Sequence, residues 1–149
     1  MTVEELVKKI RSFNRYYTNI MGLLDSNLYS TGYSLSETRI LYEICDTENC
    51  NLKKLSEKMN LDKGYLSRTI SKLEYESLIT RKQSDYDQRL LLICLTPKGE
   101  ELVARSSKES DRQIAEKVRQ LGANEREELS SALETVQKHF EKEPIYIMW

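Results

Sequence analysis

Residues 51–96 read NLKKLSEKMNLDKGYLSRTISKLEYESLITRKQSDYDQRLLLICLT. Apolar residues recur at helical steps twice in this stretch, first as Leu52, Leu55 and Met59, then as Leu66, Ile70 and Leu73. Three- and four-residue spacing places each set on one face of a helix. Asn51 and Asp62 precede the two runs, where a short side-chain oxygen can accept from the free amides of a helix start. Between the runs lies Met59-Asn60-Leu61, a tight turn in which asparagine tolerates the left-handed conformation. Beyond the second run the pattern changes to strand-like segments at 79–82 and 89–95, with polar QSDYDQ between them as a hairpin tip. Two short helices, a tight turn and a β-ribbon predict a winged helix-turn-helix over residues 34–96.

The second helix of that unit would leave Lys63, Gly64, Tyr65, Ser67, Arg68, Ser71 and Lys72 on its wet side. Arginine can bond bidentately to guanine, and serine and tyrosine can bond bases or phosphates. Lysine neutralises the backbone, and glycine permits close approach. The first helix exposes Lys53, Lys54 and Lys58. Arg81, Lys82 and Arg89 surround the hairpin tip, as a wing reaching a minor groove requires. Asp87 and Arg89 stand two residues apart, so on a strand they share a face and the carboxylate can aim the guanidinium. The same pattern is also met by an ordinary amphipathic helix and a salt-bridged hairpin. The short upstream helix and turn favour DNA binding.

Charge distribution supports that reading. The 149-residue chain is formally −1. Residues 53–98 hold ten Lys/Arg against six Asp/Glu, leaving +4, and the remainder carries −5. A basic segment in an acidic chain is what a DNA-contacting module on a separate body should show.

Upstream, Thr2 and Glu5 form a capping-box pattern that opens a long helix. Val3, Leu6, Val7, Ile10, Phe13, Tyr17, Ile20, Met21, Leu24 and Leu28 give it an apolar stripe of roughly seven turns. A helix this long is expected to pack partly on a second subunit. The next helix is expected to start at Ser36, with Leu35 and Ile40 as a hydrophobic staple and Ile40, Leu41 and Ile44 buried.

Downstream, Thr96-Pro97 marks a helix start, and the helix is expected to run towards Leu121 and stop at Gly122. Asn124 with Glu127 would cap a last helix with a seam of Leu129, Leu133, Val136 and Phe140. The expected fold is one mainly α domain over 1–149 with a small β-wing, in which residues 1–30 and 97–149 are dimerisation helices. The apolar tail Pro144–Trp149 is expected to dock on the first helix.

Other chemistry finds little footing. No apolar run approaches the ~18 residues of a membrane span, and the N-terminus carries acids where a signal peptide would be basic. A cytoplasmic protein is the expectation. Cys45, Cys50, Cys94 and the lone His139 suggest neither a zinc site nor a disulfide framework, so no metal and no cofactor are expected. No nucleophile elbow, catalytic carboxylate pair or phosphate loop is recognisable, which argues against an enzyme.

With these elements placed, the chain resembles the multiple antibiotic resistance regulator (MarR) family over essentially its whole length. LSETRILYEI at 35–44, DKGYLSRTISKLEYESLITR at 62–81, and DYDQR leading into LLLICLTPKGEEL carry the likeness. Asp87-Gln88-Arg89 matches the family's wing signature, while Ser77 stands where a glycine is common. FNRYYTNIMGLLDSNLYSTGYSLSETRILYEI together with DKGYLSR also looks like the MarR-type domain fused in some bacteria to a GNAT acetyltransferase. The present sequence ends before such a domain, so no acetyltransferase activity is expected.

The resemblance implies a homodimer on a pseudo-palindromic double-stranded DNA operator, acting as a ligand- or stress-responsive repressor. It implies DNA contacts from Lys63, Tyr65, Ser67, Arg68 and Lys72, with Arg89 in the minor groove. It also implies a small-molecule effector near Arg15, Tyr16, Tyr17 and Tyr29. The main alternative, a winged-helix protein-interaction module without DNA binding, would need a neutral recognition face. Lys63, Arg68 and Lys72 argue against one.

Overall fold

The computed structural model describes residues 1–23 and 31–141. The elements run α1 (Val3–Ile20), α2 (Leu35–Asp46), α3 (Leu52–Met59), α4 (Lys63–Tyr75), β1 (Ile79–Gln83), β2 (Leu91–Leu95), α5 (Pro97–Val118) and α6 (Ala123–Phe140). The architecture is mainly α with a small β-wing, as expected.

One core organises α2 through the first half of α5. Ile40, Leu41 and Ile44 of α2 meet Leu55 of α3 and Leu66, Ile70 and Leu73 of α4. Leu78, Ile79 and Ile93 close it from the wing's base, and Leu102 and Val103 close it from α5. Burying each such side chain contributes roughly 1.5–3 kcal/mol relative to exposure. β1 and β2 pair antiparallel from Ile79↔Leu95 to Gln83↔Leu91. Both strands stop short of the tip, so the wing is a ribbon anchored at one end.

Caps set most boundaries. Thr2 and Glu5 form the expected box, with the Glu5 amide donating to Thr2 Oγ1 at 3.2 Å and the Thr2 amide to Glu5 Oε2 at 2.8 Å. Asn51 Oδ1 accepts from the Lys54 amide at 2.9 Å, and Asp62 Oδ1 from the Tyr65 amide at 2.8 Å. Asn60 ends α3 in the left-handed region at φ 51°.

Three boundaries differ from expectation. α2 is capped by Ser34, whose hydroxyl accepts from the Glu37 amide while Glu37 Oε2 accepts from the Ser34 amide. Ser36 therefore lies inside the helix, and the Leu35–Ile40 staple does not form as a cap device. α6 begins after Gly122, whose amide donates to Glu125 Oε2 at 2.7 Å, so Asn124 and Glu127 are interior residues. α1 stops at Ile20, and Gly22 turns the chain at φ 64°. Leu24, Leu28, Tyr29 and the tail at 144–149 lie outside the described residues.

The terminal helices share no such core. Neither α1 nor α6 buries a single residue. Leu6, Val7, Phe13 and Ile20 are 43–51% exposed, and Leu129, Leu133, Val136 and Phe140 are 41–49% exposed. The predicted stripes exist, and within one chain nothing covers them among the described residues.

Candidate nucleic-acid interface

α4 is held by its buried face, where Leu66 and Leu73 are fully covered and Ile70 nearly so. Its start is fixed to α3 through the turn, with Ser56 Oγ donating to the Leu61 carbonyl at 2.9 Å. The opposite face is solvent-facing at Lys63, Gly64, Tyr65, Arg68, Ser71 and Lys72, with Ser67 half-buried. A Cβ on Gly64 would lie 3.2 Å from Asp62 Oδ1 and 3.3 Å from Arg68 Nη1. The Arg68 guanidinium thus arches back over the first turn of the helix.

The cations of this region divide into two groups. Among the described residues, no hydrogen bond or ion pair engages the side chains of Lys53, Lys63, Arg68, Lys82 or Arg89. These five are available to an external anion. Lys72 instead meets Glu37 Oε1 at 2.5 Å, and Arg81 meets Glu74 at 3.2 Å and Ser71 Oγ at 3.0 Å. The Glu37 hydrogen bond holds the Lys72 ammonium above its ordinary pKa. Lys58 pairs with Glu43 at 2.7 Å and Asp46 at 2.8 Å, tying α3 to α2. Tyr65 is also engaged, its hydroxyl 3.0 Å from Ser36 Oγ. Of the expected site residues, Arg81 and Ser71 bond each other across α4 and β1, and Lys72 is neutralised in place by Glu37.

The wing tip corrects one expectation. Arg89 lies in a turn outside β2, so it and Asp87 do not alternate along a strand. Asp87 Oδ1 accepts from the Arg89 backbone amide at 3.0 Å, and the Asp87 carbonyl accepts from the Leu90 amide at 2.9 Å. The carboxylate shapes the backbone that carries Arg89 and does not pair with its guanidinium. Ser84, buried beneath the tip, accepts from the Tyr86 amide at 3.2 Å, and Tyr86 is 97% exposed.

Residues 33–91, which contain α2, α3, α4, β1 and the wing's tip and end at the first residue of β2, match the sequence model of the MarR family. The chain carries a MarR family domain. The transcriptional regulator SarZ of Staphylococcus aureus is 36% identical over 96 residues, covering 64% of this chain and 55% of SarZ. Matched stretches span 55–63% of the length of the curated relatives.

Solved structures agree on the fold. Streptococcus pneumoniae FabT in complex with DNA superposes with a TM-score of 0.79 at 16% identity, covering 91% of this chain and 98% of FabT. Rhodococcus jostii CouR bound to p-coumaroyl-CoA gives 0.69 at 20% identity, covering 91% and 92%. The MarR domain's winged helix-turn-helix is thus common to chains of very different sequence.

Arg15, Tyr16 and Tyr17 fall on α1 with exposed side chains, and Tyr17 stacks on Phe13 with ring centroids 5.6 Å apart. Tyr29 lies outside the described residues. Of the thiols, Cys45 is exposed, while burial pushes buried Cys50 up to about 11, away from thiolate chemistry. The residues overlooked from sequence are Ser36 and Glu37. Their partners lie 29 and 35 positions away, and no periodicity signals such a pairing.

Proposed function

We propose that this chain is a sequence-specific DNA-binding transcription regulator that acts in the cytoplasm as a homodimer on a pseudo-palindromic operator. The observation that carries the reading is the α4 surface. Its inner face is locked into the core, while Lys63 and Arg68 stand unpaired on the outer face beside a wing bearing Lys82 and Arg89. Unpaired cations on a rigid helix can meet phosphates and base edges without first breaking internal bonds. The uncovered faces of α1 and α6 support pairing of two chains. Two-fold symmetry would then set half-site centres about 34 Å apart, one helical turn of DNA. Repression relieved by a small molecule or a stress signal is the regulatory mode we favour, with Arg15, Tyr16 and Tyr17 of α1 near the subunit junction as effector contacts. The CoA thioester bound by CouR, a protein of the same fold, supports a ligand site in such an arrangement.

Fluorescence anisotropy with the DNA upstream of the protein's own gene, titrated with salt, tests the reading. Binding should be tighter than to a scrambled duplex and should fall steeply with salt, by about 0.9 in log–log slope per phosphate neutralised. Absence of binding to every upstream fragment at low salt would overturn it. Leu133→Glu places a charge on the α6 seam and should yield monomers in sedimentation. A variant that stays dimeric removes α6 from the interface.

A further inference from the structure

We infer that Glu37 is a specificity-determining residue, which withholds Lys72 from the phosphate backbone and fixes the rotational setting of α4. The inference rests on the DNA-binding reading above. Both oxygens of Glu37 are committed, Oε2 accepting from the Ser34 amide at 2.9 Å and Oε1 meeting Lys72 Nζ at 2.5 Å. The side chain is only 13% exposed, so the carboxylate cannot swing out without undoing the cap of α2. Burial pushes its pKa up, but the bonds from Lys72 and Ser34 outweigh this and hold it below the ordinary value. It is therefore a fixed negative charge at neutral pH.

A second tie runs beside the first. Tyr65, two turns before Lys72 on α4, bonds Ser36, the residue adjacent to Glu37. Two bonds seven residues apart on α4, received by neighbouring residues of α2, set the roll of the helix about its own axis. That roll decides which side chains face a groove.

The electrostatic consequence is distinct from the geometric one. A free lysine on this surface would strengthen binding to every sequence alike, because phosphate contacts carry no base information. Lys72 already has a carboxylate in contact, so a phosphate must displace a preorganised partner. Lys63 and Arg68 face no such competitor. Non-specific affinity is thereby lowered while base reading is left intact, and Lys72 acts as a positioning residue.

The test compares wild type, Lys72→Met, Glu37→Gln and the double variant by anisotropy, on the upstream duplex and a scrambled duplex, from about 50 to 300 mM salt. Glutamine keeps an acceptor for the Ser34 amide, so the capping box survives. Lys72→Met should leave the salt slope on the scrambled duplex unchanged. Glu37→Gln should steepen it by about 0.9 and narrow the ratio between the two duplexes. The double variant should return to the wild-type slope. A Lys72→Met slope flatter by about 0.9 overturns the inference, as does a Glu37→Gln protein unchanged in both slope and ratio. If circular dichroism shows that Glu37→Gln has lost helix, the Lys72→Met slope alone decides. A wild type that binds neither duplex overturns the DNA-binding reading itself, and the role of Glu37 with it.

Discussion

Gly99 is the third residue of α5, where the helix passes over the junction of α4 and β1. A Cβ built on it would lie 2.1 Å from the Leu78 carbonyl oxygen, 3.1 Å from the Leu78 carbonyl carbon and 3.3 Å from Leu95 Cδ2. Backbone atoms cannot step aside as a side-chain tip can, so Gly99→Ala must lift α5 by about 1 Å to restore an ordinary contact. The same Leu78 oxygen accepts from the Thr96 amide at 3.0 Å, a bond that this lift would break. Overpacking costs about 1–3 kcal/mol, and a lost hydrogen bond with a buried acceptor adds about 1–3. Alanine's better helix propensity returns at most about 1 kcal/mol. The net destabilisation expected is about 1–5 kcal/mol.

Urea unfolding at fixed protein concentration measures the Gly99→Ala loss as a lower midpoint at unchanged slope. Gly64→Ala is the control. Its Cβ would meet only side-chain atoms, Asp62 Oδ1 at 3.2 Å and Arg68 Nη1 at 3.3 Å, which can give way, so its midpoint should fall less than that of Gly99→Ala. A Gly99→Ala protein as stable as wild type would refute the account of this packing.

Other substitutions probe separate features. Ser77 sits at φ 62°, where a side chain costs about 1–2 kcal/mol and glycine costs little. Ser77→Gly should therefore raise stability by up to about 1 kcal/mol after glycine's extra chain entropy, and a lowered urea midpoint would contradict this. Glu43, buried between Arg39 and Lys58, is pushed up by burial but held below its ordinary pKa of 4.5 by bonds from both cations. A depressed folded pKa means that its contribution is whole above about 4.5 and is lost as pH falls through the folded value. Glu43→Gln should be less stable at pH 7 by about 1–3 kcal/mol and should lose less on acidification than wild type, so parallel pH profiles would exclude this role. Arg89→Ala should weaken operator binding with an unchanged thermal midpoint. Asp87→Ala should do the same in part, by releasing the turn that presents Arg89, and unchanged affinity in both would remove the wing from the interface.

The elements that local chemistry specifies were legible in the sequence. Thr2, Asn51, Asp62 and Thr96 cap where short oxygenated side chains precede apolar runs, and Asn60 takes the left-handed turn expected of it. Competing caps were not resolvable in the same way. Ser34 and Ser36 are both plausible starts for α2, and what decides is Glu37 falling three residues after Ser34. At α6, Gly122 has no side chain to advertise a cap, yet Glu125 reaches back to its amide. The second strand of the wing was read two residues too long, because the turn in which the Arg89 amide donates to Asp87 takes up Arg89 and β2 begins only at Leu91. Ion pairs such as Lys72 with Glu37 depend on tertiary juxtaposition. A helical wheel shows Lys72 on the wet face and is silent about who meets it there.

The terminal helices carry a consequence for how the protein exists at different abundances. α1 and α6 are each 18 residues long and bury nothing within the chain. Isolated helices of such length are marginal in water, because nucleation is costly and packing normally supplies the balance. The winged unit, with its own closed core, holds its shape as a first-order property of one molecule. In the proposed homodimer the helicity of α1 and α6 would be a second-order property, set by how often a second chain covers their faces. Dilution should therefore fray the ends before it disturbs the middle, exposing α1 and α6 to proteases while the winged unit stays intact.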